Sequence, residues 1–494
     1  NIDASHNVGL GTSSPSQKLD VSGNANISGT LTVGTFSPTN IAITSGTVKL
    51  DGDHPSGTNN VALGDGAGAN FASGANRNTA IGHEALTTLT TGDYNVAVGW
   101  DALRAEDTGE RNTAVGYAAL RNLDYDGAAY NTGVGFGAGE LITTGVYNTL
   151  VGGIAGDAIT TGNYNSALGY NALGALTTAD YNTGVGWTAG ENITTGTQNA
   201  LFGSNAGDAI TTGNYNTGIG HGSLSAVTTA NLNTGVGRSS LGVVTTGTQN
   251  TAVGGNAADA LTTGNYNTAI GYEALTNDTL GSRSTAVGRG TLVSQNFTSA
   301  TDAYNTAVGF NAGNSTTTGT FNTLIGALSG DAETTGQRNT GVGFGSLTNQ
   351  VSGENNTGVG FYALQANVAG RRNTAVGAQA LYNMTQSSAT NTYNTGVGYA
   401  AGYAITSGVQ NTLIGADAGV NITTGSYNDA LGMQALAQLT TGSNNIAIGA
   451  YALDAATTTG QNTAVGSSAL TAFDHASNGF NTAVGYNSQA ANSS

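Results

Sequence analysis

The hydrophobic and polar positions of this chain repeat with a period of 17 residues. Two consecutive stretches, NTGVGFGAGELITTGVY (131–147) and NTLVGGIAGDAITTGNY (148–164), open on the same asparagine and order their small, aliphatic and glycine residues alike. Twenty-five such units begin between positions 60 and 481; the first position is Asn in 24 of them, and the fifth is Gly in all. Such regularity predicts stacked copies of one structural unit.

A unit of 17 residues is too short for a helical-hairpin repeat of about 33 residues or a propeller blade of about 40. Several glycines per unit, together with β-branched Thr and Val, also disfavour a helix. We therefore predict an all-β chain, a β-solenoid or β-roll of about 25 coils. Each coil would hold two short strands, N-T-x-V-G and the x-A-x segment, and a T-T-G-x-Y return turn. Stacking at about 4.8 Å gives a rod of about 120 Å.

The strand N-T-A-V-G has two chemically different faces. Alternation places Thr and Val on one face and Ala and Gly on the other. The third position is Ala, Gly or Leu throughout, and we interpret this small face as the outer one. A uniformly small, apolar outer face is expected to be buried, most simply against sister copies around a shared axis. We therefore predict a homotrimeric fibre, with a single-chain solenoid packed on another partner as the alternative.

Composition limits the classes of function. Charged residues make up 8% of the chain, the net charge is −17, and there are 78 glycines, three prolines and no cysteine. This balance excludes collagen, disulfide scaffolds and thiolate metal sites, and argues against nucleic acid as a partner. No apolar run approaches the roughly 18 residues of a membrane helix. Beginning at Asn1 rather than Met, the chain is interpreted as a fragment or processed product.

Two stretches carry a resemblance to known families. The coil NTAVGYAAL (112–120) resembles the head repeats of trimeric autotransporter adhesins, which form left-handed parallel β-rolls in trimers. The leader NVGLGTSSPSQKLDVSGNANISGTLTVG (7–34) resembles a segment of bacteriophage tail fibres and related surface fibres. The 17-residue period differs from the shorter adhesin coil. We predict an N-terminal β-rich attachment segment, 1–58, and a solenoid shaft, 59–494.

The conserved spacing of Asn and Gly predicts structural ladders along the rod. One Asn per coil would stack its amide on the amide of the next coil, donating and accepting at each step. Glycine at the fifth position would allow close approach of the backbone. In the most regular coils these residues are Asn131, Asn148, Asn165, Asn182, Gly135, Gly152, Gly169 and Gly186.

Two rows of aromatic residues are candidates for receptor binding. One row follows the fifth-position glycine and includes both tryptophans, Trp100 and Trp187; the other row precedes the asparagine and is rich in tyrosine. Aromatic faces stack on sugar rings, but they also stack on each other in a purely structural ladder. Exposed members, Trp100 and Trp187 above all, are the candidates for contact with a glycan.

Four coils carry extra residues before the next asparagine. The long turns span 121–130, 292–304, 381–393 and 471–480, and they fall in phase with a five-coil rhythm. Insertions on one face of a repeat protein often mark its binding side, although a permissive turn also accepts neutral decoration. The candidate receptor contacts in these turns are Tyr125, next to Asp124, and Phe297, Tyr382 and Phe473.

Metal sites and catalysis have weak support in the sequence. Asp157, Asp208 and Asp259 recur every third coil, but single aspartates in turns are usually solvated, and we predict no metal site and no cofactor. No nucleophile elbow, phosphate loop or paired carboxylate motif occurs, so an enzyme is not expected. Threonine pairs such as Thr143 and Thr144 leave ice binding or a matrix filament as a minor alternative.

These patterns together predict a structural and receptor-binding fibre. We expect a phage tail fibre on the virion that attaches to a cell-surface glycan or protein and joins other virion proteins at its N-terminal end. A bacterial trimeric surface adhesin, extracellular and of the same architecture, is the alternative. In either case several weak sites would act together through effective concentration.

Overall fold

The computed structural model describes residues 57–471 and 479–489 and, in the N-terminal part, the strands Val8–Leu10 and Leu19–Val21. The chain divides into two compact units, Asn1–Leu50 and Asp51–Ser494. In the first unit β1 pairs in parallel with β2, with Val8 opposite Leu19. Most of the predicted attachment segment 1–58 lies outside the described residues.

The described strands are all two or three residues long. In chain order they are β1 Val8–Leu10, β2 Leu19–Val21, β3 Val61–Leu63, β4 Thr79–Ile81, β5 Val96–Val98, β6 Thr113–Val115, β7 Thr132–Val134, β8 Thr149–Val151, β9 Ser166–Leu168, β10 Thr183–Val185, β11 Ala200–Phe202, β12 Thr217–Ile219, β13 Thr234–Val236, β14 Thr251–Val253, β15 Thr268–Ile270, β16 Gly281–Ser282, β17 Thr285–Val287, β18 Thr301–Asp302, β19 Thr306–Val308, β20 Thr323–Ile325, β21 Thr340–Val342, β22 Thr357–Val359, β23 Thr374–Val376, β24 Thr395–Val397, β25 Thr412–Ile414, β26 Asp429–Leu431, β27 Ile446–Ile448, β28 Thr463–Val465 and β29 Thr482–Val484.

The second unit is a parallel β-solenoid. Strands β3 to β29, apart from the short β16 and β18, pair one with the next in unshifted register, so that Thr183 lies opposite Ala200 and Val185 opposite Phe202. Each pairing joins residues one coil apart, and the predicted solenoid of 25 coils with a 17-residue period is confirmed. At the usual strand spacing this ladder is about 120 Å long.

Each coil has one main-sheet strand, whereas the sequence analysis predicted two. The x-A-x segment is a run of turns, because its residues alternate into the left-handed region: φ is 55° at Asp101 and 49° at Leu103. A pleated strand cannot include such residues. The segment still bonds between coils, and the N–H of Leu103 donates to the carbonyl of Ala119 at 3.1 Å.

The small face of the strand points into the coil, and the prediction that it contacts sister copies is wrong. Ala97, Ala114 and Leu150, all at the third position, are 0% exposed. Thr113 and Val115, on the opposite face of the strand, are half-buried at the surface. Alternation defines two faces, but the turns after the strand fold back over the alanine side and make it the core.

Stacking of the coils explains the glycine at the fifth position. Gly135, Gly152, Gly169 and Gly186 have φ between 137° and 143°. A Cβ atom at any of them would lie 2.2–2.5 Å from the carbonyl oxygen of the equivalent glycine in the next coil. The glycine therefore serves contact between coils of the same chain.

Four positions fill the interior of a coil. In the coil that begins at Asn112 they are Ala114, Ala119, Leu120 and Leu123, at the third, eighth, ninth and twelfth positions, and all are fully buried. Each meets its counterparts in the coils above and below, so the core is one continuous column. Stability then comes from contacts between neighbouring coils, as in other solenoids.

Candidate functional site

A ladder of buried asparagines joins each return turn to the next strand. The Oδ1 of Asn148 accepts the backbone N–H of Asn165 at 3.0 Å, and the Oδ1 of Asn165 accepts that of Asn182 at 2.9 Å. The Nδ2 of Asn165 donates to the carbonyl of Ala179 at 2.9 Å and to the Oδ1 of Asn148 at 3.2 Å. Asn131, one coil before Asn148, likewise accepts the N–H of Asn148 at 2.9 Å and donates to the carbonyl of Gly145 at 2.7 Å. The amides thus bind backbone as well as each other.

Ser284 is the one residue in this row that is not asparagine, and Gln295 makes hydrogen bonds in its place. The Nε2 of Gln295 donates to the Oγ of Ser284 at 2.9 Å, and its Oε1 accepts from the Nδ2 of Asn305 at 2.9 Å. Gln295 lies at the twelfth position, which is aliphatic in most coils, and is fully buried. The longer amide side chain therefore replaces the missing asparagine from inside the core.

Gln295 belongs to a column of buried polar side chains. The twelfth position is polar and fully buried in six consecutive coils: Asp278, Gln295, Thr316, Glu333, Gln350 and Asn367. Burial raises the pKa of Glu333 to about 8, although the Asn339 amide bonds its Oε1 at 2.7 Å. Its Oε2 has no hydrogen-bond partner among the described residues. This column was not predicted from the sequence, although an alignment of the 17-residue units would have revealed it.

The tyrosine row before the asparagines is a stacked ladder on the surface. The ring centroids of Tyr130, Tyr147, Tyr164 and Tyr181 follow one another at 5.3, 5.0 and 5.0 Å, with planes within 8° of parallel. All four rings are exposed. Because each ring covers the face of the next, this row presents mainly ring edges and hydroxyl groups.

Arginines occupy the same row at the residue before each coil that carries a described long turn. The guanidinium of Arg111 lies 5.4 Å from the ring centre of Tyr94 and 5.5 Å from that of Tyr130. Its Nη1 also donates to the Tyr130 hydroxyl at 3.1 Å. The same contacts recur at Arg283 with Tyr266 and Tyr304 and at Arg372 with Tyr393. Arg111 and Arg283 also pair with Glu110 and Asp302, so cation–π contacts and ion pairs share this edge.

The two tryptophans differ in how their rings are covered. Trp100 and Trp187 are similarly exposed, at 53% and 55%. Trp100 lies between His83 and Tyr117, with ring centroids 4.5 and 6.3 Å away. Trp187 has no ring neighbour in the described part of the chain. Of the two predicted contacts, Trp187 offers the freer face.

A dent in the surface, an open pocket, lies one coil from Trp187. The carbonyl of Trp187 accepts the N–H of Asn205 at 3.0 Å, which places the tryptophan one coil from the dent. Small residues where other coils carry larger ones create the space. The lining comprises Asn205, Asp208, His221, Gly222, Ser225, Ser239, Gly242, Val243 and Asp259.

Two aspartates frame the dent with free acceptors. The Oδ1 atoms of Asp208 and Asp259 are buried and lack a hydrogen-bond partner within the described residues. Burial raises the pKa of Asp259, against the opposing effect of the Thr276 hydroxyl. The aspartates are three coils apart, about 14 Å, which exceeds the carboxylate spacing of about 5–10 Å in glycosidases.

In the sequence, Asp208 and Asp259 recur with Asp157, one aspartate in every third coil. Asp157 lies three coils before Asp208 and does not line the dent. None of the three belongs to a group of His, Cys, Asp or Glu in the described chain that could hold a metal ion.

Three of the four long turns lie within the described residues, and they leave the solenoid at the same place. Each returns through a short parallel pairing with the preceding coil: Glu110 with Ala128, β16 with β18, and Arg371 with Asn391. The fourth turn, with Phe473, lies largely outside the described residues. These turns are therefore docked on the solenoid by backbone bonds.

The predicted receptor contacts in these turns differ in exposure. Phe297 is only 5% exposed, so its assignment as a receptor contact is wrong: the ring is buried within the structure. Tyr125 is half-buried and packs against the core, whereas the adjacent Asp124 is exposed. Tyr382 is half-buried and stacks on Tyr403, with ring centroids 4.9 Å apart.

A second aromatic cluster was missed in the sequence. The rings of Phe344 and Phe361 stack at 5.8 Å, and Tyr362 meets Phe361 at 4.3 Å. Tyr362 also contacts Tyr382 edge to face at 6.1 Å, which connects the cluster to the third described long turn. These residues occupy different positions of their units, so neither predicted row includes them all.

Comparison with known proteins gives no family assignment. No protein-family model matches the sequence, and no curated protein matches it. Within the residues that the structure describes, no helix has the length and apolar character needed to span a bilayer.

Proposed function

We propose that this chain is the shaft of an extracellular attachment fibre that binds a cell-surface glycan beside Trp187. The exposed indole without a ring partner, one coil from a dent lined by Asp208, His221 and Asp259, supports this most directly. Aromatic faces stack on sugar rings while polar groups bond their hydroxyls. The site lies on a rigid solenoid, which fixes its geometry.

A phage tail fibre is the form of this function that we favour. The resemblance of residues 7–34 to tail-fibre segments supports it, and residues 1–58 would then join other virion proteins. A bacterial trimeric surface adhesin is the alternative, supported by the resemblance of the repeats. Either protein would act at a cell surface, outside the cytoplasm.

We also propose a homotrimer, but through the opposite face of the sheet from the one inferred from sequence. The outward face carries Thr at most second positions and an aliphatic residue at every fourth position except Phe202. Asp429 is the one charged residue at these positions of the 25 units. Exposed members include Leu168, Ile270 and Ile414. A long, flat, weakly polar face of this kind favours burial against further copies.

The glycan proposal is tested on an array of bacterial surface polysaccharides and oligosaccharides with the fluorescently labelled chain. We expect Trp187→Ala to lose binding by about tenfold or more, since stacking on one ring contributes about 1–3 kcal/mol. Trp100→Ala is the matched control, because Trp100 is equally exposed but covered by His83 and Tyr117. Equal loss in both variants, or no glycan bound by the wild type, would refute the proposal.

Ice binding is a second candidate that the outward face favours. Thr234, Thr251 and Thr268 lie opposite one another in successive strands, and this row extends along the sheet. A flat array of methyl and hydroxyl groups at strand spacing can order water. The T-T-G pairs considered from sequence lie in turns instead. Thermal hysteresis in solutions of the purified chain would favour this function; its absence would remove it.

A further inference from the structure

Three carboxylates meet where the first long turn leaves the solenoid. Glu106 and Asp107 belong to one coil, and Asp124 comes from the long turn of the next. One oxygen from each lies within 4.8 Å of the other two. The neighbouring arginines pair with other acids: Arg104 with Glu84, Arg111 with Glu110, and Arg121 with Glu140.

The member of this group that points to a ligand is Glu106. Its side chain is 0% exposed, at the twelfth position, where Leu or Ile stands in 11 of the 25 units. The Oε1 accepts the N–H of Gly109 at 2.6 Å, but the Oε2 has no hydrogen-bond partner in the described chain. A buried carboxylate oxygen without a partner is costly unless a proton or a cation occupies it.

In the coil before the second long turn, hydrogen bonds satisfy both oxygens of the buried acid at the twelfth position. Asp278 also bonds the N–H of a glycine three residues on, Gly281, and its second oxygen accepts from Gln295 at 2.6 Å. At the first turn the residue one coil on is Leu123, which cannot donate. The Oε2 of Glu106 is thus left without a donor, and one oxygen of the Glu106 carboxylate lies within 4.8 Å of oxygens of Asp107 and Asp124, which offer no donor when ionised.

We propose that Glu106, Asp107 and Asp124 bind one Ca²⁺ ion that fastens the first long turn to the solenoid. Calcium binds carboxylate oxygens at about 2.3–2.6 Å, so oxygens on opposite sides of the ion are up to about 5 Å apart. The three oxygens lie within 4.8 Å of one another, which meets that requirement without movement of the backbone.

Electrostatics make this site selective for a cation. Burial, and to a smaller extent the charge of Asp124, raise the pKa of Glu106 to about 7. The pKa of Asp124 is raised by burial and by Asp107. A divalent cation stabilises all three ionised carboxylates at once.

The test is calorimetric titration of CaCl₂ into the full chain after removal of metal with a chelator. We expect one strong site per chain. Asp124→Asn should weaken binding about tenfold or more. Asp302→Asn, in the second long turn, removes the same charge away from the site and should leave it unchanged.

A second readout keeps the test decisive if a variant folds poorly. Tb³⁺ in the site should emit when tyrosine is excited, and Tyr125→Phe should reduce that emission while leaving the affinity for Ca²⁺ intact. The proposal is overturned if Ca²⁺ fails to bind or to displace Tb³⁺, or if Asp124→Asn and Asp302→Asn bind alike. None of these outcomes bears on glycan binding at Trp187, which lies several coils away.

Discussion

The side chain of Leu150 fills the space that a side chain at Gly139 would need. A Cβ atom at Gly139 would lie 2.6 Å from the Cδ1 of Leu150, and one at Gly156 would lie 2.8 Å from its Cδ2. At three more places along the core, a leucine at the third position fills the space beside glycines at the ninth position of its own coil and of the coil before it. These are Leu201 with Gly190 and Gly207, Leu324 with Gly313 and Gly330, and Leu413 with Gly402 and Gly419.

This packing makes Leu150→Ala a severe change. The cavity has glycines on both sides that cannot fill it, so we expect a loss of about 3–5 kcal/mol. The exposed Leu141→Ala serves as control and should change stability by less than about 0.5 kcal/mol. Hydrogen exchange resolved to single coils is the measurement, because a solenoid unfolds locally. Protection that falls equally in both variants would contradict the role of Leu150.

The asparagine ladder predicts a rescue by a second substitution. Asn165→Ser should cost about 2–4 kcal/mol, because the N–H of Asn182 and the carbonyl of Ala179 each lose a buried partner. Adding Leu176→Gln places a glutamine where Gln295 supports Ser284. The double variant should recover part of the loss in a double-mutant cycle. A purely additive result would show that Gln295 does not replace the ladder.

Glu333 predicts a stability that falls as pH rises. The folded state holds the proton of Glu333 up to about pH 8, whereas the unfolded chain releases it near the ordinary glutamate pKa of 4.5. Stabilisation is therefore complete below about pH 4.5 and is lost as pH rises to about 8. Glu333→Gln should remove this dependence and raise protection near residue 333 at pH 8 by about 1–3 kcal/mol. Glu191→Gln, nearer the surface, is the control; a pH profile unchanged by Glu333→Gln would disprove the assignment.

The outward sheet face predicts that one charge will disrupt self-association. Ile325→Glu places a carboxylate in the middle of the proposed interface and should convert a trimer to the 48.8 kDa monomer by light scattering. Thr335→Glu adds the same charge at an exposed return turn and should leave the trimer intact. A wild-type chain that is monomeric at all concentrations would remove the homotrimer from the proposal.

Much of the candidate site could be read from the sequence, although its environment could not. Trp187 was singled out by its residue type and its place in the row after the glycines. The dent beside it needs residues from coils up to three periods apart, so no local motif marks it. The prediction that Phe297 contacts a receptor was wrong, because the sequence of a long turn does not show whether an aromatic ring in it is exposed or buried.

The sequence by itself determined the period, the parallel coil and the asparagine and glycine ladders, because each depends on one residue type returning at one spacing. The tertiary structure alone decided which strand face is the interior. Alternation separates the Thr and Val side from the Ala side equally well for either orientation. The direction in which the left-handed residues at Asp101 and Leu103 turn the chain closes the coil over alanine. That choice brings Glu106 inside and leaves Trp187 and the threonine rows outside.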